Sequence, residues 1–108
     1  MPKYNKLVRD YIPQIIEQSG SKYSVKTLGN EEYIIELKKK MHEEIAEYEE
    51  AKNDQDAVEE LADLLELVYA AAESHGTSVE HLERVRMTKA EKRGAFKDKV
   101  FLIEVEDE

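Results

Sequence analysis

Glu43-Glu44-Ile45-Ala46-Glu47, followed after a short polar break by Glu60-Leu61-Ala62-Asp63, is the pair of stretches whose reading decides the fold. At about 100° per residue both read as helix, and both set acids beside an apolar face. In the first helix Ile34, Leu37, Met41, Ile45 and Tyr48 form a continuous stripe, all within roughly 40° of Met41. Glu44 lies about 60° to one side and Glu47 about 120°, with Lys40, Ala51 and Tyr33 on the same shoulder. Glu43 and Glu50 are expected to point away, Glu43 into solvent. In the second helix Ala57, Leu61, Leu64, Leu65, Val68 and Ala72 make the stripe, Glu60 and Asp63 flank it, and Glu59, Glu66 and Glu73 take the opposite face.

Two antiparallel helices joined by a short connection would bring Glu44, Glu47, Glu60 and Asp63 together. Carboxylates at the edge of a core are costly to leave unpaired. Four facing one another do not all stay ionised without cations, and hard oxygen donors suit Mg²⁺ or Mn²⁺. A di-iron carboxylate bundle is the neighbouring possibility. It requires Glu-x-x-His, and none of His42, His75 or His81 has an acid three residues before it.

The pattern Glu-Glu-x-x-Glu, a spacer, then Glu-x-x-Asp resembles the signature of the all-α nucleoside triphosphate pyrophosphohydrolases, the MazG-like group that includes phosphoribosyl-ATP pyrophosphohydrolase. Tyr4-Asn5-Lys6-Leu7-Val8-Arg9-Asp10 with Ile12-Pro13, and Lys92-Arg93-Gly94-Ala95-Phe96, are similar to its small single-domain branch. The resemblance implies an all-α helical bundle and water attack at the α-phosphorus of a nucleoside triphosphate, giving nucleoside monophosphate and pyrophosphate. It implies Glu44, Glu47, Glu60 and Asp63 as Mg²⁺ ligands and catalytic residues, and Lys40, Lys89 and Arg93 as phosphate-binding cations. It further implies an N-terminal arm that carries Lys6 and Arg9 to the phosphates. One departure stands out: the group often has a basic residue four positions before the Glu of its second acid pair, where this chain has Asp56.

Composition sets the limits. With 108 residues the chain is expected to be one domain, divided into an N-terminal arm and short helix (1–30), a helical core (31–94) and an extended tail (95–108). So short a chain buries little core, and assembly at least as a homodimer, or as a dimer of dimers, is expected. Net charge is −9, which argues against a nucleic acid polymer as partner, since binding one needs an excess of Lys and Arg. A nucleotide remains possible if metal ions carry the positive charge. There is no cysteine, so no thiolate site or disulfide. No apolar run approaches the ~20 residues of a membrane span or makes a signal peptide, and a cytoplasmic location is expected.

Elsewhere, Pro13 should sit in the first turn of a short helix that packs Ile12, Ile15 and Ile16 inward and stops at Gly20. Asn30 is the expected N-cap of the long helix, which should run to about Lys52. Asp56-x-x-Glu59 and Thr77-x-x-Glu80 read as capping boxes, and Ser74 with Gly76, then Gly94, as stops. Val79, Leu82 and Val85 should face inward on the last helix. Arg86, Lys89 and Arg93 continue that line, where cations also offset the helix dipole. Lys40 reads either as a site residue or as an ordinary helical ion pair. For the basic arm, and for Phe96, a solvated or packing role competes with substrate contact. Lys99-Val100-Phe101-Leu102-Ile103-Glu104-Val105 is the strongest strand signal, so a minor β appendage is expected, pairing with Tyr23–Leu28 or with another subunit. Two functions remain: a Mg²⁺-dependent house-cleaning pyrophosphohydrolase, and a non-catalytic acidic helical interaction module.

Overall fold

The structure is a computed structural model that describes residues 2–107; Met1 and Glu108, the last residue of the expected frayed end Glu106-Asp107-Glu108, lie outside it. It consists of four helices, α1 (Ile12–Gln18), α2 (Asn30–Glu49), α3 (Asp54–Ser74) and α4 (Val79–Arg93). There is no strand among the described residues, and the fold is all-α, as the periodicity predicts.

The expected β appendage does not form within the protomer. Residues 21–29 and 99–107 are irregular, and no backbone hydrogen bond joins them. A strand without a neighbour leaves its backbone groups to water, so propensity alone does not hold one.

The frame is the α2–α3 hairpin, closed by residues 50–53. Leu37, 2% exposed, and Ala72 are its buried apolar residues. Ile34, Met41, Leu64 and Val68 are half-buried, while Ile45, Tyr48, Leu61 and Leu65 remain 41–47% exposed. Two helices cover only part of each other's stripe; the rest faces outward. α4 packs on α3 alone, with Val79 and Leu82 half-buried and Val85, expected inside, exposed. α1 touches no other helix, which is why Ile15 is exposed and Ile12 and Ile16 only half-buried.

Helix ends differ from expectation by one to three residues. Gly29, not Asn30, precedes α2, and α2 stops at Glu49 rather than Lys52. Asn53 caps α3: its side-chain oxygen accepts from the Asp56 amide at 2.8 Å, and its amide donates to the Asp56 carboxylate at 3.2 Å. Asp56 is thereby part of the cap's hydrogen bonding rather than the N-cap itself. Ser78, not Thr77, caps α4 by accepting from the His81 amide. Ser74 and Arg93 end their helices as expected, with Gly76 and Gly94 just beyond at φ 81° and 84°, a region open to glycine. No described helix is long and apolar enough to cross a membrane.

Candidate metal centre

The hairpin sets the inner shoulder of α2 against that of α3, near the closed end. One carboxylate oxygen from each of Glu44, Glu47 and Glu60 lies within 4.8 Å of the other two. Glu44 is only 6% exposed, Glu60 is half-buried and Glu47 reaches solvent. Oε2 of Glu44 and Oε2 of Glu60 are both buried with no hydrogen-bond partner among the described residues. Such oxygens are expensive to desolvate, and a protein that retains them needs a proton or a cation there.

The electrostatics agree. Burial first, then contact with the Glu60 and Glu47 carboxyls and the charges of Glu47 and Asp63, push the Glu44 carboxyl up to about 7. At Glu60 the contact with Glu44 acts downward, but the Glu47 contact, burial and the charges of Glu47 and Asp63 outweigh it, and its carboxyl too is raised. Without a cation the cluster therefore holds a proton near neutral pH. A divalent ion would replace it, and a donor set made only of carboxylate oxygens fits a hard cation.

Asp63 is the fourth expected ligand, and it is otherwise engaged. Arg9 Nη2 donates to its Oδ1 at 2.6 Å, across 54 positions of sequence, although its charge still reaches Glu44. The same arm brings Lys6 Nζ to 3.9 Å from Glu43 Oε1. The basic arm thus lies against the hairpin beside the acids.

Glu43 is not the solvent residue expected. It is half-buried and pairs with Lys40 at 3.7 Å as well as with Lys6. Lys40 accordingly turns to Glu43 rather than to Glu44 and Glu47. A helical wheel fixes where Cβ points, whereas four methylenes carry the ammonium well off that line. Lys40, Glu43, Tyr4, Asn5 and Lys6 line a depression of about 310 Å³, with the Lys6 ammonium 5.9 Å from the Tyr4 ring centroid.

A second depression, of about 300 Å³, opens beside Glu47 and Glu60. Glu50 and Glu59, expected to face away, form part of its rim together with Asp56 and Lys52. Lys52 carries no motif signal; only the turn after α2 places it there. Lys89 and Arg93 are exposed on α4, and no hydrogen bond or ion pair links them to the acids among the described residues. Arg86 is paired with Glu83 of its own helix, at 2.9 and 3.0 Å. Phe96 is 98% exposed, neither covered by the tail nor packed on a helix. His42, His75 and His81 are exposed.

The family model described as phosphoribosyl-ATP pyrophosphohydrolase matches residues 6–88, well over half of the chain. The chain belongs to the phosphoribosyl-ATP pyrophosphohydrolase family. Comparison with curated proteins and with solved structures yields no match. The matched stretch holds all four acids, Lys6, Arg9 and Lys40, and ends just before Lys89. Membership makes the protein a hydrolase of phosphoric anhydrides and a nucleotide pyrophosphohydrolase. It decides for the enzyme against the acidic interaction module.

Proposed function

We propose that the chain hydrolyses a nucleoside triphosphate, non-canonical or surplus, to nucleoside monophosphate and pyrophosphate, with Mg²⁺, or Mn²⁺ in its place, held by Glu44, Glu47, Glu60 and Asp63. The observation that carries this reading is the pair of buried oxygens without a hydrogen-bond partner among the described residues, Glu44 Oε2 and Glu60 Oε2, on two residues that each bring a carboxylate oxygen, with one from Glu47, within 4.8 Å of the others. Exposed acids on a helix would be solvated; these are not.

When bound, the ion supplies positive charge to the phosphate chain and acidity to nearby water. The residues do the rest. Glu44 and Glu60, fixed by packing in the hairpin, set where the charge sits. Glu47 is exposed at the edge of the open depression, and that exposure supports it as the base that would take a proton from the attacking water. Water adds to the α-phosphorus, the bond from that phosphorus to the bridging oxygen breaks, and pyrophosphate leaves with the bond's electron pair. Lys6, Arg9 and Lys40 hold phosphate oxygens from the arm side, and Lys89 and Arg93 add charge from α4.

Pyrophosphate release from a panel of nucleoside triphosphates, with and without Mg²⁺, tests the reading. Glu44→Gln and Glu60→Gln are each expected to lower turnover by about a hundredfold or more while circular dichroism stays helical. Calorimetry should show divalent-ion uptake that these variants lose. Normal turnover in either variant, or no uptake of Mg²⁺ or Mn²⁺ by the unmodified protein, would sink it.

A further inference from the structure

The end of the chain is apolar and bare. Phe101 is 87% exposed, Ile103 86% and Val105 73%, with Val100 and Leu102 similarly open, and no backbone hydrogen bond ties residues 95–107 to any other described residue. The stretch between α1 and α2 is equally unoccupied: residues 21–28 make no backbone hydrogen bond, and Tyr23 and Val25 are exposed.

The two stretches complement each other. In strand geometry successive side chains alternate, so Phe101, Ile103 and Val105 share one face while Leu102, Glu104 and Glu106 share the other. Between the helices the same alternation sets Tyr23, Val25 and Thr27 against Lys22, Ser24 and Lys26. Laid antiparallel with Ile103 opposite Val25, Phe101 meets Thr27 and Val105 meets Tyr23, an apolar and β-branched face throughout. On the other face Glu106 meets Lys22, and Glu104 falls between Lys22 and Lys26. A slip of one residue would press the tail's apolar face onto lysines. Lys26 makes only an exposed contact with Glu32, at 3.7 Å, which would yield readily.

From this complementarity we infer that residues 100–106 of one copy pair as a β-strand with residues 22–28 of a second copy, in a reciprocal exchange that joins two chains. Within a single protomer no backbone hydrogen bond joins the two stretches. The exposed area points to a second copy as the occupant. The chain exposes 10056 Å², whereas a folded monomer of 12.5 kDa exposes roughly 6,200 Å². That excess is several times the roughly 800 Å² each partner commits to a standard interface. The exchange is isologous, so one pairing yields two identical contacts about a twofold axis. It is independent of the catalytic reading.

The chain's lack of cysteine makes the test direct. Val25→Cys and Ile103→Cys proteins, each with its helical circular dichroism verified, are mixed and oxidised mildly, and crosslinked dimer is read on a non-reducing gel. Facing positions in a strand pair bring Cβ atoms within disulfide reach. We expect several-fold more mixed dimer from this pair than from Val25→Cys with Leu102→Cys, whose side chain lies on the other face. A yield no greater than that control overturns the inference. So does a double variant, Val25→Cys with Ile103→Cys in one chain, that crosslinks only within itself.

Discussion

Glu44 is the residue on which pH acts most directly. Its carboxyl is held at about 7 in the folded protein, against 4.5 for the unperturbed group. In that window the folded state binds the proton more tightly than the unfolded chain does, so protonation favours folding. This contribution is fully present below about pH 4.5 and is lost as pH rises through 7. In chelator, the melting temperature of the unmodified protein is expected to fall between pH 5 and pH 8 by more than that of Glu44→Gln, and Mg²⁺ should restore it at pH 8; parallel profiles for the two proteins would contradict the assignment. Arg9 gives the opposite kind of prediction. Its ion pair with Asp63 is exposed, worth at most about 1 kcal/mol, so Arg9→Gln should barely move the melting temperature. The same change frees Asp63, and calorimetry should show tighter divalent-ion binding alongside a higher KM for nucleotide. This arrangement was unevenly legible in the sequence. The spacing of Glu44, Glu47 and Glu60 placed three acids together because Cβ direction on a helix follows from position alone. Asp63's partner and the swing of Lys40 depend on the path of the arm and on long side chains, which periodicity does not encode.

Among the elements, α3 is the one whose start can be tested cleanly. Asn53 and Asp56 exchange two hydrogen bonds at its first turn, so Asn53→Ala should cost about 1 kcal/mol. In a domain of this size that is a drop in melting temperature of about 4–8 °C, measurable by circular dichroism, with no change in metal affinity. Helix identity was readable throughout, because the apolar stripes of α2 and α3 repeat over five turns and more. Helix starts were not: Asn53, Asp54 and Asp56 are all good caps, and only the angle at which the chain leaves α2 selects among them. The tail shows the reverse failure. Its strand propensity is plain, but a strand is a property of two segments, and no pattern within one of them names the other.

The whole molecule is more extended than its length warrants. Its radius of gyration is 18.4 Å, where a compact chain of 108 residues has about 13 Å. Leu37 and Ala72 are its buried apolar residues among those described, a small core for a lone protomer, and the proposed pairing of two copies would add to it. The melting temperature should accordingly rise with protein concentration across the micromolar range, a dependence that a self-sufficient monomer lacks. Differential scanning calorimetry at three concentrations decides this. Twelve residues, 48–59, lie between Glu47 and Glu60: the last two residues of α2, the closure of the hairpin and the start of α3. The loop that joins them is short enough to close in about 10–100 ns, long before distant parts of the chain find one another. If the proposed metal reading holds, a newly made chain would bring these acids together once the hairpin has emerged, and a bound ion would act as an early folding nucleus, accelerating refolding as well as stabilising the finished protein.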